Sequence, residues 1–247
     1  MDVRQYLDST YLKTASQAGI DEEQNIAVVK QFIQEAIDEN FKLVMIRPDK
    51  VALAKEIIFN AKSQVGVGTV IDFPEGSASA EEKLSEASRA IKDGVDDLDF
   101  VCNYNAFIAG DLELVKNEIL KCTQLGLENS KVVKWIIEVA ALNDKQIVQL
   151  SSLIKNIVIS NFKEVDYNSV FVKSSTGFFV TQDNLPNGAT VATITMMLEN
   201  AFPLPVKAAG GVRTYEEAVE MIRLGVKRIG TSGAKVIANG EGTQVEY

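Results

Sequence analysis

The chain has 247 residues, 46% of them hydrophobic, enough for one large core or two small ones. Its formal charge is −9, from 25 basic and 34 acidic residues, and no Lys/Arg run is dense enough to track a phosphate backbone, so nucleic acid is not an expected partner. There is no histidine, which excludes histidine triads, histidine general bases and HExxH zinc sites, and the two cysteines are too few for a four-thiolate zinc site.

In chain order, the opening MDVRQYLDST lacks the apolar segment of a signal peptide, and no apolar run reaches the ~18 residues that span a membrane. Eight short runs rich in Val, Ile and Phe read as strands: Tyr6–Ser9, Lys42–Ile46, Gln64–Asp72, Asp97–Cys102, Lys131–Val139, Ser169–Ser174, Pro205–Ala208 and Arg228–Thr231. Amphipathic stretches lie between them, among them 22-EEQNIAVVKQFIQEAIDEN-40, 80-AEEKLSEASRAIKDG-94 and 214-TYEEAVEMIRLG-225. The last opens on an N-cap Thr214 with Glu217 in the capping-box position and closes on Gly225. Eight strands alternating with helices in about 250 residues match a (β/α)8 TIM barrel. A doubly wound sheet is the runner-up, but no GxGxxG follows the first strand. No linker, composition shift or low-complexity tract divides residues 1–247, so one domain is expected.

In such a barrel, chemistry gathers at the C-terminal ends of the strands. The fourth strand, 96-DDLDFVCN-103, puts Asp97 and Asp99 on one face. An inward Asp99 needs a cation or a donor; the alternative is a solvated strand end. The sixth strand runs VFVKSSTG, with Lys173 directly after three apolar residues, and either snorkels to water or serves as a reactive amine. The seventh places Lys207 before Gly210 and Gly211, and the eighth ends in RIGTSG. These glycine turns are either ordinary tight turns or the phosphate site that often follows the last two strands of a barrel. A second ammonium beside Lys173 and apolar surroundings would both lower its pKa and free it to attack an aldehyde.

The chain resembles the deoxyribose-phosphate aldolase family almost end to end. The matching segments are 6-YLDSTYLK-13, 72-DFPEG-76, 96-DDLDFVCN-103, 132-VVKWIIE-138, 172-VKSSTGF-178 and 206-VKAAGGVRT-214. The resemblance implies a class I, metal-independent aldolase with no cofactor, acting on a small phosphorylated sugar and acetaldehyde. It implies that Lys173 forms the Schiff base, Asp99 relays protons and Lys207 activates Lys173. It further implies that phosphate meets Gly177, Gly210, Gly211, Gly230 and Ser232, while Asp8, Thr10 and Thr176 line the sugar end.

The sequence also departs from the family. The helix that many members carry before the D-x-T motif is missing or very short, which leaves a homodimer open. Ser9 stands where many members have histidine, and Gly233 where many have a second serine, so weaker phosphate binding is expected. Residues 179–190 are longer than the usual connection and read as an excursion rather than a lid. Cys102 and Cys122 read as packed thiols in a cytosolic protein, and Met196 and Met197 as helix core. Glu138 pairs with Lys134 or supports the site from behind. Two other readings remain: a Schiff-base barrel aldolase for a different phosphorylated sugar, and an inactive phosphosugar-binding protein.

Overall fold

The computed structural model describes residues 1–181 and 187–240. Its strands are β1 (Leu7–Thr10), β2 (Leu43–Ile46), β3 (Gly66–Ile71), β4 (Asp97–Val101), β5 (Val132–Ile136), β6 (Val170–Lys173), β7 (Val206–Ala209) and β8 (Arg228–Thr231). All pair in parallel in sequence order, and β8 returns to β1, closing the barrel. All eight expected strands are present. Five run shorter than expected, β2, β3, β4, β5 and β6, and the two most shortened, β3 and β5, end ahead of Asp72 and Glu138, whose left-handed backbone, with φ of 54° and 52°, takes the chain out of the extended region.

The three expected helices form over Glu22–Asp38, Ala80–Lys92 and Tyr215–Leu224. Each begins with a capping box in which the N-cap side chain accepts from the third helical N–H; Thr214 and Glu217 make one of them. Ahead of β1 there is a single turn of 3-10 helix, Arg4–Tyr6. No helix among the described residues is long and apolar enough to cross a membrane.

Alternation along each strand splits the buried residues into two sets. The outward set, including Val44, Val67, Leu98, Trp135, Val172 and Ile229, packs beneath the helices in the main core. Trp135 stacks on Phe100 at 5.2 Å and donates its indole N–H to Thr123 at 2.9 Å. Met197 is buried in this core and Met196 packs against it. The inward set is divided. Leu12, Leu43, Met45 and Val70 form a small apolar cluster near β2 and β3. Gly68 leaves room for it, since a Cβ there would sit 2.5 Å from the Met45 Cε. From β4 round to β1 every strand turns at least one charged side chain inward, beside apolar ones such as Ile136 and Phe171.

Candidate active site

Strand register builds the charged half. Parallel neighbours in register point the same way, so pairing Asp99 with Lys134, Lys173 with Lys207, Lys207 with Arg228 and Asp8 with Gly230 turns all of these residues inward. Lys134, Lys207, Asp8 and Asp99 are fully buried, and Lys173 is 3% exposed. Charges so enclosed persist only when paired.

Asp99 is the hub. Its Oδ2 accepts from Lys173 Nζ and from Lys207 Nζ, both at 2.9 Å, and its Oδ1 accepts from Lys134 Nζ at 2.8 Å. Lys207 Nζ also lies 2.6 Å from Asp8 Oδ2. Arg228 donates through Nε to Asp8 Oδ1 at 2.7 Å and through a terminal nitrogen to Asp97 Oδ2 at 3.0 Å. Lys134 completes the set at 2.7 Å from Asp97 Oδ2.

Each ionisation has a physical cause. Burial pushes the Asp99 carboxyl up, but Lys134, Lys173 and Lys207 together hold it well below the usual carboxylate range. Burial likewise raises Asp8, and Arg228 and Lys207 bring it below its ordinary value. Lys134 loses protonation to burial but regains more from Asp97 and Asp99, so its pKa is raised. Lys173 differs. Burial lowers it, Asp99 raises it, Lys207 lowers it again, and the balance falls from 10.5 to about 8. An amine poised there is partly unprotonated near neutral pH and can act as a nucleophile.

Above Lys173 the chain runs through Ser174, Ser175 and Thr176, all buried. Glu138 governs this segment. It accepts from the Ser175 hydroxyl at 2.8 Å and from the Thr176 N–H at 3.1 Å, and the Thr176 hydroxyl also donates to it. Of the two readings of Glu138 from sequence, the ion pair with Lys134 does not form. Lys134 points into the barrel toward Asp97 and Asp99, whereas the left-handed turn at Glu138 sends its carboxylate to the β6 loop. Burial raises the Glu138 carboxyl, and the bonds from Thr176 and Ser175 offset part of that rise.

The remaining expected residues lie at the strand ends. The Thr10 hydroxyl donates to the Asp8 carbonyl at 2.9 Å. Gly177, Gly210 and Gly211 have φ of 79°, 79° and 92°, conformations that favour glycine. The Gly177 N–H donates to the Ser175 hydroxyl oxygen at 2.9 Å. Gly230 makes room for a neighbour: a Cβ there would stand 3.1 Å from Lys207 Cε. Ser232 is exposed after β8, and the Thr231 hydroxyl donates to the Val212 carbonyl at 3.0 Å, joining the turns after β7 and β8. In the 179–190 stretch, Gln182–Pro186 lie outside the described residues. On its far side Ala189 N–H donates to the Gly210 carbonyl at 2.7 Å and Ser175 donates to the Asn187 carbonyl at 2.6 Å, which links the loops after β6 and β7.

Sequence reasoning missed Arg228 and Asp97 as members of the cluster and weighed Lys134 only as a partner for Glu138. All three carried a usable signal, a charge at the inward period of an apolar run. Cys102 and Cys122 are buried thiols whose pKa burial raises, Cys122 to about 12. A cation, Lys83, does lie near them, but Glu118 pairs with it at 2.6 Å.

Comparisons with known proteins point to one family. The model of the DeoC/LacD family aldolases matches residues 5–239. A protein of Thermococcus kodakarensis named deoxyribose-phosphate aldolase is 37% identical over 238 residues, 96% of each chain. One of Streptococcus suis with the same name is 35% identical over 248 residues, the whole of both. A solved structure described as "QR15, an Aldolase" superposes with a TM-score of 0.80 at 30% identity, covering 97% of this chain and 95% of that one. A deoxyribose phosphate aldolase from Aeropyrum pernix, described as having a unique tetrameric structure, superposes with a TM-score of 0.76 at 27% identity, covering 96% and 89%. The chain belongs to the DeoC/LacD family of aldolases.

Proposed function

We propose that this protein is a class I aldolase that cleaves 2-deoxy-D-ribose 5-phosphate to D-glyceraldehyde 3-phosphate and acetaldehyde, and runs the reverse addition. The observation that carries the reading is one enclosed amine, Lys173, that shares a carboxylate oxygen with a second ammonium, Lys207. Pure binding has no need of that arrangement, which weighs against an inactive sugar-binding protein.

In the proposed reaction, neutral Lys173 adds to the C1 aldehyde and water leaves, forming an iminium. Removal of the C3 hydroxyl proton breaks the C2–C3 bond. The bonding pair moves into C1–C2 and is held as an enamine while glyceraldehyde 3-phosphate departs. Protonation at C2 and hydrolysis then release acetaldehyde and regenerate the amine. Asp99, bonded to both lysines, relays protons through water, and Lys207 opposes protonation of Lys173. Asp8 and Thr10 at the end of β1 and Thr176 above Lys173 line the sugar. Gly177, Gly210, Gly211, Gly230 and Ser232 receive the phosphate.

We place the protein in the cytoplasm as one barrel domain over residues 1–247, with a homodimer as the assembly to be tested by light scattering. The Aeropyrum pernix neighbour, by contrast, is described as tetrameric.

The test is borohydride reduction in the presence of acetaldehyde, followed by peptide mass spectrometry. The two-carbon adduct is expected on Lys173 and absent from Lys173→Ala; an adduct on another lysine would refute the assignment. The phosphorylated sugar should exceed unphosphorylated deoxyribose in kcat/KM by a factor of roughly hundreds, at about 1.5–3 kcal/mol per charge-assisted bond. Equal values would remove the phosphate site. Gly233→Ser should lower KM modestly by restoring a hydroxyl.

A further inference from the structure

The charged half of the barrel is a closed ring. Passing from partner to partner, Arg228 contacts Asp97 at 3.0 Å, Asp97 contacts Lys134 at 2.7 Å and Lys134 contacts Asp99 at 2.8 Å. Asp99 then contacts Lys207 at 2.9 Å, Lys207 contacts Asp8 at 2.6 Å, and Asp8 returns to Arg228 at 2.6 Å. Signs alternate round the circuit. Each carboxylate touches two ring cations and each cation touches two ring carboxylates, so three positive and three negative charges cancel. Lys173 is the seventh member and stands outside the ring, attached only through Asp99 Oδ2 at 2.9 Å.

We propose that Arg228 and Asp97 are positioning residues that keep Lys173 reactive by holding the ring neutral, so that a proton on Lys173 is the one uncompensated charge in the barrel. Both are the first residues of their strands, β8 and β4, and so lie on the floor of the barrel, away from the C-terminal ends where substrate enters. They act on Lys173 through Lys134, Asp99, Asp8 and Lys207. The proposal rests on the reading of Lys173 as the Schiff-base amine and extends it to residues outside substrate contact.

The other groups around Lys173 stay the same when Arg228 or Asp97 is replaced. Asp99 faces it from β4, Lys134 from β5 and Lys207 from β7. Glu138, at the end of β5, also acts on Lys173; its carboxylate accepts from Ser175 and Thr176, makes no ion pair among the described residues, and is common to every variant compared below. On the far side β2 and β3 present Leu43, Met45 and Val70, which carry no charge and favour the neutral amine.

The ring makes a prediction of opposite signs. Removing a cation leaves a ring of net −1, which a proton on Lys173 neutralises. Removing an anion leaves a ring of net +1, which repels that proton. The measurement is the pH profile of borohydride trapping of acetaldehyde on Lys173, with circular dichroism confirming the fold. Arg228→Gln should move the apparent pKa up by about one pH unit or more, and Asp97→Asn should move it down by a similar amount. The double variant restores neutrality and should return the profile to within about half a unit of wild type. Because it removes both members of a buried pair, it is also the variant best placed to fold.

A purely structural role would lower yield or turnover without moving the profile, or would move both single variants the same way; either result overturns the proposal. If the single variants do not fold, nitrogen-15 NMR of the lysine side chains in the wild-type protein decides the matter. The Lys134 signal should stay that of an ammonium through the pH range in which Lys173 titrates. Deprotonation of Lys134 together with Lys173 would show that the ring is not a fixed neutral frame. Wild-type protein that fails to trap acetaldehyde on Lys173 refutes the Schiff-base reading itself, whereas trapping with unmoved profiles refutes only the ring.

Discussion

Among the described residues four enclosed lysines, Lys83, Lys134, Lys173 and Lys207, have carboxylate partners, and Lys83 and Lys173 make the sharpest contrast. Lys83, on the helix Ala80–Lys92, is fully buried outside the barrel. Its ammonium donates to Glu118 at 2.6 Å, to the Val101 carbonyl at 2.8 Å and to the Gly76 carbonyl at 3.1 Å, and Asp72 lies 3.5 Å away. Glu118 also accepts the Asn103 N–H at 2.7 Å. This cluster ties the loop after β3 to the end of β4, and it offers its one ammonium more acceptors than it has protons. Lys173 is almost as deeply buried, yet its one carboxylate oxygen is shared with Lys207. Burial alone therefore does not make a reactive lysine. The balance of anions and competing cations around the amine decides whether the proton is held or released.

The sharpest way to break this contrast is through stability. Replacing Lys83 by Met strands Glu118 without its cation and should cost about 3–5 kcal/mol in urea unfolding. Replacing Lys173 by Met should have the opposite sign. A fall from 10.5 to about 8 corresponds to a cost on the order of 3 kcal/mol for holding the protonated amine in the fold. That cost is present in full below about pH 8 and is relieved as pH rises from 8 to 10.5, because over this range the unfolded chain binds the proton that the folded chain has released. Lys173→Met should therefore be inactive yet more stable than wild type at pH 7, with the gap closing toward pH 10.5. A Lys173→Met protein less stable than wild type at pH 7 would erase the distinction between the two lysines.

Next in size is the loss of the shared carboxylate. Asp99→Asn removes the anion nearest to Lys173, so trapping should persist and shift to lower pH. Turnover should fall by at least roughly 10²-fold through the lost proton relay. Turnover and trapping lost together would mean that Asp99 holds the amine in place rather than moving protons.

The smallest effect sharpens the role of the competing cation. Lys207→Leu lifts the repulsion on Lys173, whose pKa should rise, moving surviving activity and trapping toward alkaline pH by about one unit. If the profile stays put, desolvation alone tunes Lys173, and the difference from Lys83 must then come from hydrogen bonding rather than charge count.

Much of the molecule follows from local pattern. The barrel is legible because eight apolar, β-branched runs alternate with capped amphipathic helices, and both signals act over a few residues. Asp99, Lys173 and Lys207 stand out for a related reason: a charge inside an apolar run is costly, so it demands a partner even before the partner is known. Which partner it finds is a different matter. Lys134 sits in VVKWII as plainly as Lys173 sits in VFVK, yet its bonds to Asp97 and Asp99 depend on how β5 is registered against β4. The contact between Arg228 and Asp8 joins residues 220 apart and exists only because β8 closes onto β1. The turn of Glu138 toward Ser175 and Thr176 depends on a left-handed residue that its side chain does not announce. Strand positions and the need for charge compensation are thus properties of the sequence itself, because sterics and desolvation act residue by residue. The ring around Lys173 comes from strand register and barrel closure, because these set the distances on which pairing energy depends.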